Sequence, residues 1–121
     1  MWIFMNDAML SIVELTGQQD ELLVRARMPG DLERAFPDAE VSESLDRDYR
    51  FRAVISRKTV AAAIADRICA IDYPNFKSSI GNHGDHSHER HHAYFRVWHI
   101  MNDVQHSLLN WVKPAKRAGA R

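Results

Sequence analysis

The chain has one cysteine, Cys69, in 121 residues, which excludes any disulfide within it. That usage points to a reducing compartment. Cys69 falls in the segment AAAIADRICAI, where a thiol is expected to serve as a small buried hydrophobe, and no catalytic partner stands beside it. Net charge is absent too: 16 Lys and Arg balance 16 Asp and Glu. No overall field therefore drives the chain toward nucleic acid or anionic membrane, and an electrostatic partner would have to be read by a local patch. No apolar run approaches the ~20 residues of a membrane span. The opening MWIFMND lacks a basic leader and meets Asn6 and Asp7 almost at once, so no signal peptide is expected. A cytoplasmic location without membrane contact follows as the expectation. Internal repeats are missing, and there is no low-complexity block beyond one histidine run. Ser78, Ser79 and Ser87 have no Gly-x-Ser-x-Gly elbow around them, and Gly81 to Gly84 make no phosphate loop. No catalytic residue is assigned.

What is present is an ordinary globular composition, 45% hydrophobic and 26% charged, in a length that suits one domain and can bury a core without staples. Residues 2–5 and 8–15 are strand formers separated by Asn6-Asp7, which predicts a hairpin. After the turn at 16–20, residues 21–28 alternate as a third strand. Pro29-Gly30 breaks it, and Asp31 is expected to cap the short helix DLERAF, which Pro37 stops. The acidic stretch 38–48 reads as loop with a possible short edge strand near Val41. Residues 49–55 alternate again, with Tyr49, Phe51, Ala53 and Ile55 on one side and Arg50 and Arg52 on the other. Ser56 is a good N-cap for a helix to about Ile71, striped by Val60, Ile64, Ile68 and Ile71. A short turn of helix is placed at 75–79. A long helix then runs from Ser87 or His88 to Trp111, ended by Pro114. The order predicts an α+β fold: a mostly antiparallel sheet of about four or five strands with helices packed on one face, an αβ-plait arrangement being the first choice. Residues 1–112 form the expected domain, and 113–121, with Lys113, Lys116, Arg117 and Arg121, a basic unstructured tail.

The motifs WIFMND, LLVRARMPGDLERAFP, DYRFRAVISR, IDYPNFKSS and AYFRVW resemble, in that order, a family of small uncharacterised bacterial proteins. The resemblance covers Trp2 to about Asp103. It implies one fold unit and carries no activity or catalytic residue with it. In that family the segment between NFK and AY is shorter and less rich in histidine, so the run from His83 to His92 reads as a departure from the pattern rather than an inherited site.

Two surfaces carry candidate chemistry. In the long helix His88, His92, His99, Asp103 and His106 fall within a narrow arc at 100° per residue. Tyr94, Val97, Trp98, Met101, Val104 and Leu108 lie roughly opposite and are expected to dock on the sheet as a packing spine. His88 and His92 have the i, i+4 spacing that lets two imidazoles reach one ion, and His83, Asp85 and His86 could complete a shell for zinc, nickel or copper. The run His88-Glu89-Arg90-His91-His92 matches HExxH formally, but it sits at a helix start among many histidines, where a chance match is easy. A solvated polar face, or a surface that responds to protonation, explains the same file. The second surface is formed by Arg25, Arg27, Arg50 and Arg52, paired on two strands. With Trp2 and Phe4 nearby, such a face could hold single-stranded nucleic acid or an acidic partner. Pairing with Glu40, Glu43, Asp46 and Asp48 is the plainer alternative. The functional expectation is a non-catalytic module that binds another protein or a second copy of itself. The alternatives are a nucleic-acid binder using the arginine face and a histidine-dependent metal protein or small metallo-hydrolase, each requiring more than its residue set.

Overall fold

The computed structural model describes the backbone of residues 1–81 and 86–119, and side chains within that range as far as residue 109. The described residues form an α+β fold with a five-stranded antiparallel sheet. β1 (Trp2–Phe4), β2 (Met9–Leu15) and β3 (Gln18–Ala26) make the meander expected from the alternation. Helix α1 (Asp31–Ala35) leads to the two-residue strand β4 (Ser42–Glu43), then β5 (Phe51–Ser56). Helices α2 (Arg57–Cys69), α3 (Phe76–Ile80) and α4 (Ser87–Gly119) close the chain. The chain divides into two compact units, Met1–Ser79 and Ile80–Arg121.

The sheet order β1-β2-β3-β5-β4 corrects the plait expectation, because a plait needs a helix between its first two strands. Here β1, β2 and β3 follow one another directly, joined by short turns. Met5 N–H donates to the Ala8 carbonyl across the Asn6-Asp7 turn. Gly17, at φ +79°, lets Thr16-Gly17 close β2 onto β3 in a geometry that L side chains resist.

Register fixes which side chains share a face. Ile12 opposes Val24 and Val24 opposes Ala53, while Leu22 opposes Ile55. These residues, with Leu10 and Ala26, form the inner face and are joined in one core by Leu32 and Phe36 from the α1 segment and Val60 from α2. Leu10, Val24 and Ala26 are fully shielded, and each large aliphatic so placed contributes roughly 1.5–3 kcal/mol. Both helices thus cover one face, and alanines 26 and 53 let them approach closely. Ser56 caps α2 as its hydroxyl accepts from Thr59 N–H at 3.1 Å. The stripe on α2 is only half buried: Val60 is in the core, whereas Ile68 is 63% exposed and Ile71 lies beyond the helix end. Cys69 is exposed, correcting its expected place in the core. It is the last residue of α2.

Asp31 does not cap α1. Gly30 occupies that position at φ +88°, where an added Cβ would meet Arg34 Nη1 at 2.7 Å. Asp31, fully buried, instead accepts from Met9 N–H at 3.0 Å and from Arg34 at 2.5 Å. Arg34 also donates to the Asp7 carbonyl at 2.8 Å, and Arg67 grips the Asp7 carboxylate through two bonds of 2.7 and 3.2 Å. The hairpin turn, α1 and α2 are thereby clasped together at one end of the sheet.

Helix α4 continues through Pro114 to Gly119, where an end and an unstructured tail were expected. Proline removes a single donor and crowds one carbonyl, which bends or breaks a helix only when the neighbouring turns cannot absorb it.

Candidate interaction surfaces

The arginine face is real in register but spent on internal contacts. Trp2, Ser11, Arg25 and Arg52 form one row across the sheet, on the face opposite α1 and α2. Between the arginines lies Tyr49, only 4% exposed. Its ring has Arg27 Cζ 4.1 Å and Arg25 Cζ 4.5 Å from its centroid. This corrects the expectation that Tyr49 shares one side with Phe51, Ala53 and Ile55. β5 begins at Phe51, and Tyr49 sits in the preceding bend, where the Asp48 side chain accepts its N–H at 2.9 Å. The period-two count therefore does not extend to it.

Each guanidinium has a local partner. Arg25 donates to Ser11 Oγ at 2.8 Å, Arg27 to the Asp48 carbonyl at 2.8 Å, and Arg50 to Glu43 at 2.6 Å. Arg52 lies 3.8 Å from the Asp48 carboxylate and donates to the Tyr49 carbonyl at 3.4 Å. Arg25 Nε is buried without an acceptor among the described residues, so its guanidinium leans on the tyrosine face for stabilisation. The acidic partners Glu43 and Asp48 are two of the four expected from the sequence; nothing in the sequence announced Tyr49 as the hub.

Burial opposes ionisation of Tyr49, yet its hydrogen bond with Ser11 and the charges of Arg27 and Arg25 outweigh it and hold the phenol below its ordinary value of 10.0. The folded chain then binds fewer protons than the unfolded one just below pH 10, so this group's contribution to stability rises with pH there. It is lost as pH falls through the folded-state value. The alkaline absorbance titration of the native chain, with that of Tyr49→Phe subtracted, is expected to show Tyr49 ionising below 10.0. A difference curve centred above that value would contradict the arrangement.

Of the histidine set, His83 and Asp85 lie outside the described residues. His86, at φ +65°, accepts from Arg90 N–H at 3.0 Å and so opens α4. His88 and His92 are exposed on the first turns of that helix. Among the described residues no group of three or more His, Cys, Asp or Glu is arranged to hold a metal ion. His99 is used otherwise, edge-on to Phe95 at 4.5 Å and to Trp98 at 5.2 Å.

Two apolar surfaces were not foreseen as such. A groove of about 580 Å³ separates the β1–β2 side of the sheet from α2, walled by Ile3, Ile12, Leu22, Ile64 and Ile68, with Glu14 and Arg57 its charged members. Arg57 is tied to the Gln19 carbonyl at 2.9 Å. The other surface is the expected packing spine of α4. Tyr94 is buried, but Val97 is 38%, Met101 60%, Val104 46% and Leu108 59% exposed. At these four positions the side chains expected to form a packing spine are exposed instead. No helix among the described residues is long and apolar enough to cross a membrane.

No protein-family model, curated protein or solved structure matches the chain.

Proposed function

We propose that this protein is a non-catalytic module that binds another macromolecule, and that its contact surface is the apolar face of α4. One observation carries the reading: four large apolar side chains at successive 4-3-4 spacing, Val97, Met101, Val104 and Leu108, stand in solvent on one helix. A contiguous exposed apolar stripe of this kind marks a contact site rather than ordinary surface. The arginine face supports the nucleic-acid alternative less well, since its guanidiniums are occupied by Tyr49, Ser11, Asp48 and Glu43. The histidines support the metal alternative less well, since those described do not converge.

The reading is tested by placing a photo-crosslinking residue at Val104 in the full chain and irradiating it in cells. One adduct of discrete mass is expected, and Met101→Glu with Leu108→Glu should abolish it. A chain that forms no adduct, or one whose adducts are a diffuse smear indifferent to those substitutions, is not using this face for recognition.

A further inference from the structure

We infer that the partner of the α4 face is a second copy of this chain, paired helix to helix as a coiled coil; the inference rests on the interaction reading above. The spacing Val97, Met101, Val104, Leu108 is that of alternating d and a positions, and the sequence carries it on at Trp111. Through Trp111 the 4-3-4-3 steps average 3.5 residues, the period of a narrow seam that another helix can read. In the same phase His92, His99 and His106 occupy the f position, the one turned farthest from a partner. The histidine file and the apolar stripe are thus two aspects of one heptad pattern.

The flanking positions say that the partner can be identical. In a pairing of two copies, charged residues at e and g would face their own kind or each other and decide which partner is accepted. Here those positions between Val97 and Leu108 are Trp98, Ile100, Gln105 and Ser107, none charged. Arg96 and Asp103 fall at c, outside the seam. Nothing in the pattern repels a second copy, and no charge awaits a complementary partner.

The area is also of the right order. Val97, Trp98, Ile100, Met101, Val104 and Leu108, the large apolar residues at a, d, e and g, are between 38% and 60% exposed. Covering them would remove roughly 500 Å² per protomer, the larger part of the roughly 800 Å² each partner gives to a standard interface.

Sedimentation equilibrium of the full chain, from micromolar to near-millimolar concentration, tests this. The expected result is a species of twice the 14.0 kDa chain mass. Met101→Glu with Leu108→Glu should weaken self-association by about a hundredfold or more, because two carboxylates per helix would enter the seam. His99→Ser with His106→Ser, on the outer face, should leave the dimer intact. A wild-type chain that stays at 14.0 kDa throughout overturns self-pairing without recourse to any variant, as does a dimer indifferent to the seam substitutions. The photo-adduct at Val104 separates the two readings. An adduct of twice the chain mass supports self-pairing. A discrete adduct of another mass sinks self-pairing but leaves the interaction module standing, and no adduct ends both.

Discussion

Tyr49→Ala is expected to lower the stability of the Met1–Ser79 unit by about 3 kcal/mol, the range of a buried aromatic cut to a methyl group. The ring is nearly inaccessible and serves as the face on which two guanidiniums rest. Its loss opens a cavity and strands Arg25, whose Nε has no acceptor among the described residues. Tyr49→Phe supplies the control. It keeps the ring and both cation–π contacts and removes only the hydroxyl, so it should cost about 1 kcal/mol. Urea unfolding of the three chains decides the matter. If phenylalanine and alanine cost the same, the hydroxyl rather than the ring holds this face together. If alanine costs under about 1 kcal/mol, the arginines find other partners and the face is more adaptable than its geometry indicates.

Asp31→Ala carries the second large effect, also about 3 kcal/mol. The carboxylate is fully shielded and satisfies both Met9 N–H and the Arg34 guanidinium, whose side chain is 29% exposed. Removing it leaves a strand amide without that acceptor and a partly buried cation without that charge. Asp31→Asn keeps one of the two oxygen acceptors and loses the charge, and should fall between alanine and wild type. Because Asp31 and Arg34 act as a pair, Arg34→Ala added to Asp31→Ala should cost much less than the sum of the two single changes. The exposed pair Arg50–Glu43, with both side chains about half accessible, is the contrast: Glu43→Ala should stay within about 0.5 kcal/mol. Chemical denaturation of the series reads all of these. Additive effects at 31 and 34 would mean the ion pair is incidental to the clasp.

Both predictions concern groups whose importance came from where the chain brings them. Asp31 reads in the sequence as a helix cap, since Asp after Pro-Gly and before an apolar helix usually is one. Gly30 takes that place instead because its positive φ lets the chain turn, and the carboxylate is released toward β2. Tyr49 reads as a core residue by counting back from Phe51 in steps of two. The count fails because residues 47–50 form a bend and the pleat begins at Phe51, two residues later than the pattern suggests.

The α+β class, the strands, the capped helix α2 and the long helix α4 follow from local signals: alternation, a turn pair, a serine before an alanine-rich stripe, and an apolar face at 100° per residue. Such signals act over a few residues and survive any tertiary arrangement. The histidines and the four arginines were also visible as residue sets, and the helix pattern assigned His88, His92, His99 and His106 to one side of α4. Tertiary structure alone decided what these sets could do. Strand register set Arg25 against Arg52, and the bend before β5 brought Tyr49 between Arg25 and Arg27, where the guanidiniums find partners within the fold. Within the first unit α1 and α2 pack on the apolar face of the sheet, and on α4 the side chains of the stripe are exposed. Periodicity tells a helix which side is apolar. It cannot say whether that side meets a sheet, a partner or water, because the answer depends on which segments, distant in sequence, have already claimed the available surface.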